Sequence, residues 1–418
     1  MTGRTFVLCI ATLLPTLAAC DGAGPGTPAR GAWQPFAKAD DASTTCVGRC
    51  GDEAPAGCWC DSQCHGYGDC CPDVHAVCEA PPPASLAFAP AVEHAAGRAP
   101  MAIAIADVNG DGKPDLVTAN NQGWDVSVIL ATGGGAFAAP QSRPGGTSPR
   151  AVAVADLDGD GVADIVVADA SAITVDRATG STTYATGSLP ASLAIGDLDG
   201  DGHPDIVVAF DLGFLAVLRN KGDGTFEAPA VHAIIGDHVA LADVDGDGAL
   251  DVVVSGSGVR VVHNDGQGKL AAPVEYAAGA DASSITIADV DGDGFPDLVV
   301  TDYGNDRNLP GGVDVLLGRG DGTFADALVY PAGKGAVAVA AVDLDGDGAL
   351  DLAVACRSSG DLNILRNTGA GAFAAPIALG ALYAPLGVAA GDLDGDGVPD
   401  IVLANAYGVA LVMNHTGQ

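Results

Sequence analysis

The chain reads as an all-β protein: a seven-bladed β-propeller over residues 86–418 with 3+1 strand closure, preceded by a small disulfide-rich module at 46–78. Three observations support this. The string Asp-x-(Asp/Asn)-Gly-Asp-Gly-x-x-Asp occurs seven times in 418 residues, starting at Asp107, Asp156, Asp197, Asp243, Asp289, Asp343 and Asp392. Apolar runs of strand length flank every copy. Eight cysteines crowd into residues 46–78.

The flanks give the repeat unit. Before each loop stands a small-residue run, such as Ala151-Val152-Ala153-Val154-Ala155 or Val337-Ala338-Val339-Ala340-Ala341. After it comes a β-branched run, such as Asp164-Ile165-Val166-Val167-Ala168. Short apolar runs bounded by turn residues predict buried strands. A third run follows (Val126 to Leu130, Leu215 to Leu218, Val313 to Leu317, Leu362 to Leu365), then a glycine hairpin ending in Phe or Leu, such as Gly133 to Phe137 or Gly369 to Phe373. The segment after that hairpin reads as a fourth strand. Four short strands per repeat is the propeller pattern. The first and last loops start 285 residues apart over six intervals, about 47 residues per repeat, a blade's length. Alanine-rich first strands suit the crowded axis of a ring.

The chain ends predict how the ring closes. The last repeat offers only three strands, ending at Gly408 to Met413. Phe88-Ala89-Pro90 matches Phe137-Ala138-Ala139-Pro140 and Phe373-Ala374-Ala375-Pro376. Residues 86–94 are therefore expected to form the outer strand of the seventh blade, joining the two ends of the ring.

The loop chemistry points to a hard cation. Position 1 is Asp107, Asp156, Asp197, Asp243, Asp289, Asp343 and Asp392; position 3 is Asn109, Asp158, Asp199, Asp245, Asp291, Asp345 and Asp394. Position 5 is Asp111, Asp160, Asp201, Asp247, Asp293, Asp347 and Asp396; position 9 is Asp115, Asp164, Asp205, Asp251, Asp297, Asp351 and Asp400. Position 7 (Lys113, Val162, His203, Ala249, Phe295, Ala349 and Val398) is expected to ligate through its backbone carbonyl. Such an oxygen set suits Ca2+, which takes six to eight oxygens in irregular geometry, better than octahedral Mg2+. Up to seven Ca2+ ions are expected. An EF-hand would need Glu at position 12, where Thr118, Val167, Val208, Val254, Val300, Val354 and Leu403 stand instead. Metal-free acidic turns are the remaining alternative.

These repeats resemble the FG-GAP or VCBS family, the propeller repeats of integrin α-subunits and many secreted bacterial proteins. The resemblance covers roughly residues 86–418. It implies that the calcium loop joins the first and second strands of a blade, and that the propeller serves adhesion, protein contacts or glycan binding.

The cysteines Cys46, Cys50, Cys58, Cys60, Cys64, Cys70, Cys71 and Cys78 are an even set in a segment too small for a core of its own, which reads as a disulfide framework. Structural zinc would want Cys-x-x-Cys pairs, and the segment has none. The spacing, with Cys58-Trp59-Cys60-Asp61 and Cys70-Cys71-Pro72-Asp73, resembles the somatomedin B domain. The family's connectivity would imply Cys46–Cys60, Cys50–Cys78, Cys58–Cys71 and Cys64–Cys70. Asp61 and Tyr67 match that family's partner-binding segment, whereas Ser62 and Gly66 depart from it.

Arg4 and the apolar stretch Phe6 to Leu17 read as a signal peptide over 1–19. Leu17-Ala18-Ala19-Cys20 resembles the bacterial lipobox, which implies lipidation at Cys20 and a lipid-anchored or secreted protein. Residues 20–45 read as a flexible linker and 79–85, with three prolines, as a stiffer spacer.

The formal charge is −35, and the seven loops take 27 of the 53 acids. The acidity is therefore mostly ligand, and what remains repels nucleic acids and anionic membranes. Expected partners are proteins or glycans at the cell surface, with no nucleic acid, membrane contact only through Cys20, and a monomeric chain. No nucleophile elbow, zinc-protease pair or phosphate loop is present, so a calcium-stabilised binding or adhesion role is expected and no catalytic residue is assigned. The alternative is a secreted lyase or hydrolase acting on polysaccharide, for which Asp302, Tyr303, Asp306 and Arg307 form the best polar cluster. His232 and His238 are expected on solvated surface. Cys356 is expected to be an inert core thiol, and Arg319-Gly320-Asp321 a plain hairpin turn.

Overall fold

The computed structural model describes residues 86–417 apart from 188, 212, 280, 305–310 and 381. Among the described residues there are seven four-stranded antiparallel sheets and no helix. Blade 1 is formed by Pro100–Ala106, Asp115–Asn120, Asp125–Ile129 and Gln141–Pro144. Blades 2 to 6 follow in chain order, with first strands Ala151–Ala155, Pro190–Gly196, His238–Ala242, Ala282–Ala288 and Ala336–Val342. Each first strand contacts the next, and Gly387–Gly391 of blade 7 contacts Pro100–Ala106, so the ring is closed.

The burial pattern explains why these residues form these strands. The second strands are covered by a neighbouring blade on both faces, so they are continuous apolar runs with no polar alternation; Asp205–Phe210 and Asp351–Cys356 are buried throughout. The first strands carry fully buried alanines such as Ala102, Ala194, Ala338 and Ala389, small enough for the crowded inner ring. The fourth strands lie at the rim and are mostly exposed.

The hydrophobic core is divided among the seams between blades. Ile103, Leu116 and Ile129 of blade 1 pack on Val402 and Leu411 of blade 7. Leu193, Ile206 and Phe210 of blade 3 pack on Val166 and Ile173 of blade 2. Near the rim an aromatic ring of one blade meets the hairpin Phe of the next. Tyr184–Phe226, Tyr276–Phe324 and Tyr330–Phe373 are edge-on pairs with centroids 5.6, 5.5 and 5.3 Å apart, favourable quadrupole geometry.

The 3+1 closure is as expected. Val92–His94 pairs antiparallel with Val409–Val412, with Val92 opposite Leu411. Phe88 bridges Asn414 as Phe226 bridges Asn220 and Phe373 bridges Asn367. Phe88 is thus the hairpin Phe of blade 7, supplied by the other end of the domain, and with Leu86 it packs on the seam between blades 6 and 7. Blade 2 departs from the common plan: it lacks the glycine hairpin, and Ala172–Arg177 turns directly into Gly180–Ala185 with Arg177 opposite Gly180.

One expectation is corrected here. His238 begins the first strand of blade 4 and is fully buried, where desolvation pushes its pKa down to about 4. Its place among the alternating residues of an inner strand outweighs its polarity. His232 ends the fourth strand of blade 3 and is half-buried. Cys356 is the fully buried end of a second strand, its thiol pushed up to about 12 by burial. The disulfide module, Cys20, and the linker and spacer segments lie outside the described residues.

Deleting residues 86–95 removes the closing strand and Phe88 together. The melting temperature is expected to fall by roughly 10 °C or more for a chain of this size, measured by calorimetry; an unchanged melt contradicts the closure.

Candidate metal centres

Each acidic loop joins the first strand of a blade to the second, and its position 9 opens the second strand. All seven position-9 carboxylates are buried, at 0–2% exposure. They are buried because the backbone solvates them. One oxygen accepts the N–H of position 2 in every blade, at 2.8–3.2 Å. The other accepts the first N–H of the hairpin after the third strand in six blades, at 2.7–2.8 Å: Ala131, Asn220, Asn264, Gly318, Asn367 and Asn414. A single carboxylate thereby fastens the loop to the far hairpin of its own sheet.

The rest of the loop winds around position 1. Its two oxygens accept the N–H groups of the glycines at positions 4 and 6, at 2.7–2.8 and 2.7–3.0 Å. Those glycines have φ between +72° and +90°. At Gly110, Gly112, Gly159 and Gly161 an added Cβ would meet nothing within 4 Å. Glycine is needed at these positions for conformation and not for space. The position-5 carboxylate accepts the N–H of position 7, as from Val162 at 2.7 Å and His203 at 2.9 Å. Position 2, always Val or Leu, anchors the loop in the core: Leu157, Leu198, Val244, Val290, Leu344 and Leu393 are all buried.

Position 3 differs between blades: Asn109, Asp245, Asp291 and Asp394 accept the N–H of position 5 at 2.8–3.2 Å, whereas in blades 2, 3 and 6 position 3 bears most directly on a ligand. Asp158 Oδ1, Asp199 Oδ1 and both oxygens of Asp345 are buried without a hydrogen-bond partner. Asp345 is 5% exposed. A buried carboxylate oxygen without a hydrogen bond is costly. Arg219, paired with the other oxygen of Asp199, and Arg366, 3.6 Å from Asp345 Oδ2, compensate it in part, and a cation bound among the loop carboxylates would complete the compensation. Convergence supports this. In blades 2, 3 and 5 one oxygen from each of positions 1, 3 and 9 lies within 4.8 Å of the others: Asp156, Asp158 and Asp164; Asp197, Asp199 and Asp205; Asp289, Asp291 and Asp297. In blade 4 positions 1, 3 and 5 converge in the same way, and His263 joins Asp245 and Asp251. The donor set is oxygen-rich and acidic, and it fits a hard divalent cation.

Two classes of residue around the loops were not apparent from the repeat string. Asn220, Asn264, Asn367 and Asn414 each donate Nδ2 to position 8 of their own loop and to position 2 of the preceding blade's loop. Asn264 reaches Leu198 O at 2.7 Å and Leu250 O at 3.0 Å, and Asn367 reaches Val290 O at 2.7 Å and Leu350 O at 3.0 Å. They clamp adjacent loops together. Three of them head an Asn-x-Gly-x-Gly string, the signal that could have revealed them. Ala131 and Gly318 stand at that position in blades 1 and 5.

In blades 2, 3, 4, 5 and 7 the residue before the clamp position lies under the second hairpin glycine of the next blade, close to position 3 of its own loop. A Cβ on Gly135 would meet Met413 and Asp394, and one on Gly371 would meet Leu317 and Asp291. On Gly322 it would meet His263 and Asp245. The seat is filled by Leu130, Arg177, Arg219, His263, Leu317, Arg366 and Met413 in blade order.

Of the other candidates, Asp302 accepts Gly304 N at 3.0 Å and the Tyr303 hydroxyl lies 3.1 Å from Ser358 Oγ, while 306 and 307 lie outside the described residues. Asp321 is turned onto Thr323 of its own hairpin, as Asp223 is onto Thr225, and Arg319 donates to Phe324 O at 2.8 Å. The Arg-Gly-Asp string is a hairpin turn.

The FG-GAP-like repeat family model matches residues 107–167, 197–254, 243–300, 301–354 and 343–403. The Somatomedin B domain model matches residues 44–81. No curated protein matches the chain. Among solved structures, BBS1N in complex with ARL6DN is similar at 15% identity, covering 79% of this chain and 98% of that one with a TM-score of 0.57; a second crystal of the complex gives 14%, 81%, 98% and 0.56. An Agrocybe aegerita lectin described as recognising non-reducing terminal N-acetylglucosamine is 25% identical, over 73% of this chain and 85% of that one, with a TM-score of 0.47.

Burial raises the position-9 carboxyls of the metal-free protein, Asp164, Asp205 and Asp297 to about 6 and Asp351 to about 7, with Asp115, Asp251 and Asp400 shifted the same way. An unfolded Asp ionises near about 3.9. The folded state therefore holds extra protons between about pH 4 and pH 7, and its stability is lost as pH rises through that window. Metal-free protein is expected to melt lower at about pH 7.5 than at about pH 5, and added calcium to raise the melt more at the higher pH. Melting curves that coincide at both pH values, with and without calcium, contradict this.

Proposed function

We propose that this chain, which belongs to the FG-GAP-like repeat family and carries a Somatomedin B domain, is a calcium-stabilised extracellular binding protein that engages its partner on the propeller face opposite the acidic loops. The loops and the hairpins after the third strands share one end of the blades. The turns between second and third strands and the connections between blades share the other, where they bond to each other: Gln122 N to Arg98 O at 3.2 Å, Asp211 N to Leu189 O at 3.2 Å, Ala406 N to Tyr383 O at 3.0 Å.

The observation that carries the proposal is where exposed aromatics and backbone strain coincide. Trp124, Tyr383 and Tyr407 are 64%, 61% and 74% exposed, all on this second face, in blades 1 and 7 and the connection into blade 7. Tyr383 and Tyr407 form an edge-on pair 5.4 Å apart. Trp124 is held at φ +59°, and Ala99, Ser148 and Ala384 on the same face also have positive φ, which makes four of the five such non-glycine residues among those described; the fifth, Ala370, is in a hairpin at the loop end. A bulky residue in that conformation is strained, and such strain gathers where a surface is shaped for contact. Exposed Trp and Tyr are the residues that anchor protein interfaces and stack on sugar faces. The metal loops, by contrast, spend their polar groups on their own backbone and on the cation. In this reading calcium is the scaffold's ligand, held by positions 1, 3, 5, 7 and 9, and it supplies no chemistry to a substrate.

Trp124→Gly with Tyr407→Ala tests the face. Glycine relieves the positive φ, so the variant is expected to melt no lower than the parent. Its retention on a glycan array, or on proteins pulled from the source cell envelope, is expected to fall about tenfold or more, the loss of an interface anchor. Retention equal to the parent's sinks the assignment of this face. Release of cleaved product instead of retention would assign a polysaccharide-cleaving enzyme.

A further inference from the structure

The loops share a string but not a surrounding, and the difference lies in the seat beside position 3. In blade 3 the seat holds Arg219, whose Nη1 pairs with Asp199 and lies 3.5 Å from Asp205 Oδ2, the position-3 and position-9 carboxylates. Its Nη2 donates to Gly268 O of the next blade's hairpin at 2.8 Å, which fixes the guanidinium over the loop. In blade 6 Arg366 Nη1 lies 3.6 Å from Asp345 Oδ2. In blade 2 Arg177 Nη1 donates to Asp223 O at 2.7 Å, again the next hairpin. Blades 5 and 7 have four carboxylates and an apolar seat, Leu317 and Met413.

We infer that the seat residue grades the calcium loops: an arginine there is a built-in competitor that weakens its loop, and an apolar residue leaves the loop at full strength. This rests on the reading that the loops hold calcium. The physical reason is charge. Affinity in such oxygen sites follows the net charge and rigidity of the ligand set. In blade 3 a fixed guanidinium already pairs with two of the ligands and in blade 6 it lies beside one, so an incoming dication must displace it or bind beside a like charge in a partly desolvated site. Arginine cannot shed its charge to make room, as a histidine can. Blades 5 and 7 therefore bind first. Blades 3 and 6 fill only at higher calcium and are held meanwhile by their own arginine, while in blade 2 Arg177 is turned onto the next hairpin and competes only through its charge beside the loop. Blade 1, with Asn109 in place of a carboxylate and Lys113 paired to Asp111 at 2.8 Å, is weak for a related reason. The propeller thus has permanent and adjustable loops in one ring.

The test uses the full chain, calcium alone as probe, and equilibrium dialysis at near-neutral pH to count tightly held ions. Arg219→Met and Arg366→Met install the blade 7 residue, and Leu317→Arg installs the blade 3 residue. Each methionine variant is expected to add one ion to the tight class, with affinity at that loop raised about tenfold or more. Leu317→Arg is expected to remove one, and Arg219→Lys, which keeps the charge, to leave the count at the parent value. Melts in chelator verify folding, and blades 3, 5 and 6 decide independently. Equal tight counts in the parent and all three exchanged variants overturn the grading while leaving the calcium reading intact. A parent chain that binds no calcium overturns the calcium reading and the grading with it.

Discussion

The propeller depends on one buried carboxylate per blade. In six blades the ninth loop position closes two links at once, from its own loop to the far hairpin of the same sheet, through backbone N–H groups that would otherwise be unpaired in the interior; in blade 2, without that hairpin, Asp164 holds the loop alone. Burying seven negative charges to do this is expensive, and the raised pKa values of Asp164, Asp205, Asp297 and Asp351 are the measure of it. A cation would offset that cost without disturbing the backbone bonds, since each oxygen still has a free lone pair. Where an arginine lies beside the loop, as at Asp205, the same cost is partly met from within the chain.

Much of this was legible in the sequence, because a repeat carries its own controls. Seven copies of one string separate the invariant positions from the passengers, and the alternation of apolar run and acidic loop marks the strands without any appeal to propensity. The closure was readable because Phe88-Ala89-Pro90 repeats a hairpin signature at the wrong end of the chain. What could not be read depends on contacts between blades. The clamp asparagines act on a loop about seventy residues earlier, as Asn414 does on Leu344, and no local pattern relates the two. The seat residues vary from Leu to Arg, so they looked like noise beside an invariant string. His238 looked like surface because its polarity was weighed without its register, which places it in an inner strand. Trp124 carried no signal at all, since its conformation comes from the turn it ends.

The two ends of the ring are chemically different. One end is closed upon itself, with carboxylates satisfied by glycine N–H groups and by their own hairpins, and arranged to accept cations. The other end displays aromatic rings and holds its backbone in conformations that only the surrounding blades sustain. A rigid scaffold is what permits such strain: seven seams, each contributing an apolar cluster, outweigh a few unfavourable φ values. In the proposed reading stability is concentrated on one face and recognition on the other, so that calcium would set the firmness of the platform without touching the surface that binds.

The most direct test of the account is a calorimetric melt of the purified chain at neutral pH, in chelator and in millimolar calcium. If the ninth-position carboxylates are compensated by calcium in most blades, the melt rises by roughly 10 °C or more, through mass action on the folded state alone. Coincident melts, with no calcium retained by the folded protein, would contradict it.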